Sequence, residues 1–309
     1  MPTKTQFLTL KQLRFIEALQ RRGKMGLAAE DMHMSQPAAS RALSDIEALL
    51  GRQICARNAH GFVFNEFGEA LAVRAKRVIN EMDNLGRDLS ELADGLRGRV
   101  HVGAVTTAAI AYVVPASLAL RAIAPDVQIQ IDVEPSAMLM RRMREGTYDF
   151  VLGRLTPDDD PSLYDIRRIG EETLRFAVRS EHPLASRKKL TFADLSAFDW
   201  VMQPAGAPSW SAVAEAFALE GAEFPSRVTY SASILLTLAI VARTNAIAPF
   251  ADEVAHLLTA EDLSANIVAL DMAGEAVVSS FNIILPRNEL LSPLARRFLQ
   301  LVQAEVDRR

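Results

Sequence analysis

Residues 26–51, GLAAEDMHMSQPAASRALSDIEALLG, decide how this chain is read. Residues 27–32 suit a short helix and His33–Met34 a turn. Ser35 is an N-cap for a second helix that tolerates Pro37 in its first turn. Along that second helix Ala39, Leu43, Ile46 and Leu50 recur at spacings of four, three and four, which lays one apolar stripe against the first helix. The opposite face starts at Ser35 and carries Gln36, Pro37, Ser40, Arg41 and Ser44, with no acid before Asp45. Its N-terminal half therefore approaches phosphates and base edges without repulsion, as the recognition helix of a helix-turn-helix does in the major groove. The alternative is an ordinary helical hairpin inside a globular core.

The flanking residues favour the DNA reading. AAEDMHMSQPAASRALSDIEALLG (28–51), followed by Arg57 and FNEFGEAL (64–71), resembles the N-terminal signature of the LysR-type transcriptional regulators. The similarity is densest over 10–68, and the order of elements fits that family to residue 309. Some positions depart from the pattern. Lys24, Met25, Gly26 and Leu27 stand where the family usually shows a Ser-Phe-Thr-Arg-like run, Cys55 where it has Phe, and Asn65 where it has Thr.

At 309 residues the chain has room for two or three domains, and 50% hydrophobic with 23% charged residues is ordinary globular composition. No stretch approaches the ~20 uninterrupted apolar residues of a membrane helix, and the N-terminus lacks the apolar region of a signal peptide, so a cytoplasmic protein without membrane partners is expected. The single cysteine, Cys55, excludes an intramolecular disulfide, and beside Ile54 it reads as a small buried residue rather than a redox sensor. The net charge of −4 conceals a segregation. Residues 1–64 hold nine Lys/Arg against five Asp/Glu, leaving 25 basic and 33 acidic residues to the remainder. A basic head on an acidic body suits a protein that presents one end to phosphates.

Residues 10–22, with Leu10, Leu13, Phe15, Ile16 and Leu19, supply a helix that completes a three-helix unit. Residues 52–64 read as a hairpin about Asn58, Ala59, His60 and Gly61, a wing from which Arg57 and His60 reach the DNA backbone or minor groove. This closes a DNA-binding domain over 1–64. From 66 to 94 there is no proline, and Leu71, Ala75, Val78, Met82, Leu85, Leu89 and Leu92 keep a heptad register continued by Leu96. That pattern predicts a linker over 65–96 whose helix, 66–94, is about 43 Å long and paired with a second copy of itself. Gly95 and Gly98 end it.

Beyond Arg97 strand-like and helix-like segments alternate, the order of an α/β fold with a parallel sheet. The resemblance implies a two-lobed effector domain similar to periplasmic solute-binding proteins, the chain crossing between lobes near Gly170 and Asp271. Lobe I is then 97–170 with 272–309, and lobe II is 171–271. An effector sits between lobes, beyond the carboxyl ends of the strands. At three successive strand ends of lobe I stand Thr106 and Thr107, Ser136, and Arg154. Hydroxyls, helix N-termini and a guanidinium together favour a small organic anion, a carboxylate-bearing metabolite. The competing view pairs Arg154 with an acid and admits a neutral sugar. From lobe II the family's pattern brings Gln203, Ser209 and Trp210, then Pro249 and Phe250, with Trp210 and Phe250 placed either to stack on a ring or to fill the core.

The residues show no G-x-S-x-G, Walker or H-E-x-x-H motif, and DDD at 158–160 reads as a solvated loop, so no enzyme, cofactor or metal site is expected. The expected function is a sequence-specific DNA-binding transcriptional regulator modulated by a small-molecule effector. The alternative is a cytoplasmic small-molecule binding protein without a DNA role. The resemblance further implies an interrupted A/T-rich dyad near a promoter as the DNA target, a homotetramer built from two homodimers, and RNA polymerase as a further partner.

Overall fold

The computed structural model describes residues 8–58, 61–94, 98–259, 266–287 and 290–308, with the backbone alone at 87–94. The N-terminal head packs α1 (Leu10–Arg22), α2 (Met25–Asp31) and α3 (Gln36–Leu50) beside an antiparallel hairpin of β1 (Cys55–Asn58) and β2 (Gly61–Phe64). Local chemistry sets each boundary. Thr9 and Gln12 form a reciprocal capping box on α1, and Gly23, in the left-handed region at φ 64°, closes it. Phe15, Ile16, Leu19, Ala28, Ala39, Leu43, Ile46 and Ile54 make one core.

The long helix α4 (Glu66–Asp94) starts under the hairpin. Asn65 Oδ1 accepts from the N–H of Gly68 at 2.9 Å while its own amide donates to the Gln53 carbonyl, so Asn65 caps the helix where a hydroxyl is the family's habit. Gly68 is required there, because a Cβ would stand 2.0 Å from the Ile54 carbonyl oxygen. Helix α4 does not offer its whole heptad seam outward. Ala72 and Ala75 are buried and Leu71 is half-buried in the head core, whereas Val78, Met82 and Leu85 are exposed. The side chains of Leu89 and Leu92, and Gly95 and Leu96 entirely, lie outside the described residues.

The remaining chain forms two lobes. Strands β3 (Arg99–Ala104), β4 (Gln128–Val133) and β5 (Phe150–Gly153) are parallel in the order β4-β3-β5. They are linked by α5 (Thr106–Ala108), a π-helical turn (Ala109–Val113) and α6 (Val114–Ile123), and then by α7 (Ser136–Arg144). The wide turn precedes Pro115, whose missing N–H cannot close a regular one. Together these segments make an 18-residue apolar helix, Thr106–Ile123, whose Ala108, Val113, Ala116 and Leu120 are buried in the lobe I core.

A 16-residue strand, β6 (Tyr164–Arg179), then leaves lobe I. Lobe II adds α8 (Phe192–Leu195), β7 (Trp200–Met202), α9 (Pro208–Leu219), β8 (Val228–Tyr230), α10 (Ile234–Val241), β9 (Ala248–Ala251), α11 (Asp252–Thr259) and β10 (Ile267–Ala269). Strand β11 (Ala276–Pro286) returns, pairing antiparallel with β6 along most of its length and with β5, and α12 (Pro293–Asp307) closes on lobe I. The sheet is therefore mixed, with parallel strands in lobe I joined to an antiparallel ribbon of the two crossing strands. Ile169 packs on the lobe I core and Leu174 on that of lobe II. On the return, Val278 belongs to lobe II and Phe281 to lobe I, so the second crossing lies there and not near Asp271. The β6–β11 register breaks between Val278 and Asn282, at that same point.

Candidate DNA interface and effector site

Helix α3 begins where its sequence indicates. Ser35 has extended backbone (φ −73°, ψ 151°), and its hydroxyl accepts from the N–H of Ala38 at 3.4 Å. Gln36, Pro37, Ser40, Arg41 and Ser44 are all exposed on the face away from Ala39, Leu43 and Ile46. The Arg41 guanidinium leans back on its own helix, Nε donating to the Pro37 carbonyl at 3.4 Å. His33 holds the turn at φ 52°. Helix α2 starts at Met25 with Lys24 as N-cap and no side-chain cap bond, since Lys offers no short acceptor to the first N–H groups. The acid at the end of α2 is neutralised from α1, Asp31 taking Arg22 at 2.7 Å and Arg21 at 3.0 Å. The Arg22 hydrogen bond holds the Asp31 carboxyl below the usual carboxylate range. On the wing Arg57 is exposed and stands opposite half-buried Phe62 on the facing strand; His60 lies outside the described residues. Cys55 is buried beneath the wing, and burial, with Glu47 adding to it, pushes its thiol up to about 11.

In the effector domain the strand-end residues of lobe I converge, but not on free space. Arg154 spans three elements. Its backbone N–H donates to Ser136 Oγ at 3.1 Å, its Nε to the Ser279 carbonyl of β11 at 2.9 Å, and its Nη2 to Glu172 Oε2 of β6 at 2.9 Å. The other oxygen of Glu172 accepts from Thr107 Oγ1 at 2.6 Å. Thr107 is buried, and the Arg154 and Glu172 side chains are only 14% and 13% exposed. Thr106, half-buried, precedes it at the head of α5. Thr107 and Arg154 thus already hold a carboxylate, and it belongs to the chain.

The lobe II candidates divide. Gln203 and Ser209 pair with each other, Ser209 Oγ donating to Gln203 Oε1 at 2.8 Å at the end of β7. Trp210 packs its ring on Phe224 (5.8 Å between centroids) against the lobe II core, with its buried Nε1 lacking a hydrogen-bond partner among the described residues. Pro249 and Phe250 lie within β9, paired to Phe176 and Arg175 of β6, and Phe250 is a buried core residue. Where helix α5 and its π turn meet α11, a groove of about 590 Å³ is lined by Ile110, Asp252, Glu253, His256 and Leu257. Arg175 clamps Asp252 on its wall at 2.6 Å.

Two family models match this chain: the bacterial regulatory helix-turn-helix protein of the lysR family over residues 10–69, and the LysR substrate-binding domain over residues 93–307. The chain belongs to the LysR family. It is a LysR-type DNA-binding transcriptional regulator with an effector-binding domain. Among similar LysR-type proteins, the HTH-type transcriptional regulator GbpR of Rhizobium radiobacter is 39% identical over 254 residues, 82% of this chain and 84% of the relative. GbpR of Azospirillum brasilense is 34% identical over 97% of this chain and 87% of its own. The LysR-family regulator CbnR shares the fold at TM-score 0.69, 22% identity and coverage of 97% and 99%, and CbnR in complex with its target DNA matches at 0.68 and 21% identity.

Two acids escaped the sequence reading of this LysR chain. Glu172 is 65 residues from Thr107 and 18 from Arg154, and only the length of β6 brings it to them. Its own surroundings, IGEETLRF (169–176), look like any exposed charged segment. Asp159 is the other. It is not solvated: its carboxylate is buried, bonded to Arg144 and to both the N–H and hydroxyl of Thr156, while Asp160 caps the 3₁₀ turn Pro161–Leu163.

Proposed function

We propose that this regulator reads an interrupted A/T-rich dyad near a promoter by inserting the N-terminal half of α3 into the major groove. Gln36 and Arg41 contact base edges, Ser35, Pro37 and Ser40 fit the helix end to the backbone, and Arg57 of the wing holds phosphate. The observation that carries this is the acid-free exposed face of α3, displayed at the end of a basic head. Two heads come from a homodimer formed along α4. The exposed stripe Val78, Met82 and Leu85 supports that contact, beginning one heptad later than the full seam suggests. Separate exposed apolar residues, Val114 and Leu118 on α6 and Leu235 and Leu236 on α10, support a further contact and hence a tetramer. The protein acts in the cytoplasm and is not an enzyme. A gel shift with DNA upstream of its own reading frame tests the DNA reading; no retardation at low salt refutes it.

The effector binds between the lobes at Thr107, Ser136, Arg154 and Glu172. An incoming carboxylate has to expel Glu172 from the same donors or sit beside a desolvated like charge, both unfavourable. An uncharged, hydroxyl-bearing small molecule meets no such conflict, since its hydroxyls donate to Glu172 and accept from Arg154 and Ser136. The carboxylate inferred from sequence stays as the second reading, because the geometry already accommodates one carboxylate. A thermal-shift screen of organic acids against neutral sugars, run on the wild type and Glu172→Gln, separates the two. Sugars stabilising the wild type supports the first reading; acids stabilising it while sugars do not supports the second.

A further inference from the structure

Helix α7 touches the effector site at one end and the linker helix at the other. Ser136, its first residue, accepts the backbone N–H of Arg154. At the far end the carbonyl of Glu145, the C-cap, accepts from Asn80 Nδ2 of α4 at 2.6 Å. The chain then turns at Gly146 (φ 69°), against which α4 lies, a Cβ there being in ordinary contact with Arg77 Cγ at 3.5 Å and Asn80 Cβ at 3.8 Å. Between these ends run nine residues, about 13 Å of helix. The helix is seated as a unit. Leu139, Met140 and Met143 are buried with Tyr148, Val151 and Ile284. At its C-terminal end Arg142 bonds Asp132 of β4 at 2.9 Å, and Arg144 bonds the buried Asp159. A rod so packed shifts as a body, because close-packed interiors do not deform continuously.

We propose that α7 carries the state of the effector site to the DNA-binding head of the same subunit, Asn80 being the positioning residue that receives it. This rests on the effector site assigned above and adds its output. Arg154 is the input: a ligand that takes Glu172 or Arg154 alters the hold of Arg154 on Ser136, α7 moves, and Glu145 draws or releases α4. Because the first turns of α4 are part of the head core through Ala72 and Ala75, displacing α4 at Asn80 redirects the head. In a dimer joined further along α4, the two heads change separation.

The test uses the full-length chain and needs no ligand, the site being perturbed by Ser136→Ala and, independently, by Glu172→Gln. Amide hydrogen exchange is followed over residues 77–86. Each substitution is expected to change exchange there by about fivefold or more, the lower end of ordinary coupling between sites. In an Asn80→Leu background, which removes the donor and keeps a helix former, neither substitution is expected to change it. The proposal is overturned if both substitutions alter 77–86 equally with Leu at 80, or if exchange changes over 136–146 while 77–86 is unmoved in the wild-type background. The thermal-shift screen of acids and sugars on the same proteins keeps the two readings apart: a wild type stabilised by neither refutes the effector-site reading and leaves the exchange result, obtained without ligand, standing.

Discussion

Replacing Arg154 with Ala isolates Glu172. In the native protein that carboxylate is 13% exposed and bonded to Arg154 Nη2 and Thr107 Oγ1; in the variant only the hydroxyl is left. Stranding one partner of a largely desolvated pair costs about 3–5 kcal/mol, against about 0–1 kcal/mol for an exposed pair. Losing the bond from Nε to the Ser279 carbonyl falls within that range, at about 1 kcal/mol. The expected loss is therefore about 4 kcal/mol, or about 8–16 °C in the Tm of a domain this size. Arg154→Met with Glu172→Met removes both charges and keeps the volume, and is expected to recover to within about 2 kcal/mol of wild type, Thr107 then lacking its acceptor. Urea unfolding read by tryptophan fluorescence reports on the relevant domain, since both tryptophans, Trp200 and Trp210, stand in lobe II. A loss under about 1 kcal/mol for Arg154→Ala, the range of a solvated pair, sinks the reasoning. So does a double variant no more stable than the single one.

On the DNA side, Gln36→Ala is expected to relax preference at one base step by about 1–3 kcal/mol, whereas Arg57→Ala weakens all sequences and lowers the salt slope by about one; anisotropy titrations at several salt concentrations distinguish them. Leu85→Asp places a charge in the exposed stripe of α4 and should yield smaller species in sedimentation, with unchanged mass speaking against the dimer contact. Gly68→Ala drives a methyl into the Ile54 carbonyl and should unfold the head at lower denaturant while lobe II fluorescence is unchanged. Cys55, with its thiol pushed up to about 11 from 9.0, favours the folded head while protonated. That contribution is complete below pH 9 and disappears as pH rises through about 11, so Cys55→Val should lose less head stability over this interval than wild type.

Residues whose role is decided by near neighbours were legible in the sequence. Ser35, Ala39, Leu43, Ile46 and Gly51 place α3 because capping and a 3.6-residue period are local, and the charge-free face follows from them. The heptad of α4 was legible as a stripe but not as to its occupant: Leu71 and Ala75 obey the register and are claimed by α1 and the hairpin, a competition no single helix reveals. The first half of β6, YDIRRIGEET, hid as a charged segment because in a crossing ribbon both faces of several residues meet solvent. An aromatic in or after a strand carries no sign of which side it takes, hence Phe250 and Trp210. Glu172 is the sharpest case, since its meaning rests wholly on partners at positions 107 and 154.

The two crossing strands are bonded to each other, and this limits what the lobes can do. Sliding one strand along the other by a single residue would turn every side chain of that strand from one face to the opposite one, exposing Phe281 and Ile283 together. Slippage of one crossing strand along the other is therefore strongly disfavoured. Torsion about the long axis of the ribbon is soft, because paired strands accept a range of twist, and softest where the ladder is already interrupted between Val278 and Asn282. Twist at that interruption is therefore the soft connection between the lobes, and Ser279, which lies within it, offers the carbonyl that the Arg154 guanidinium holds.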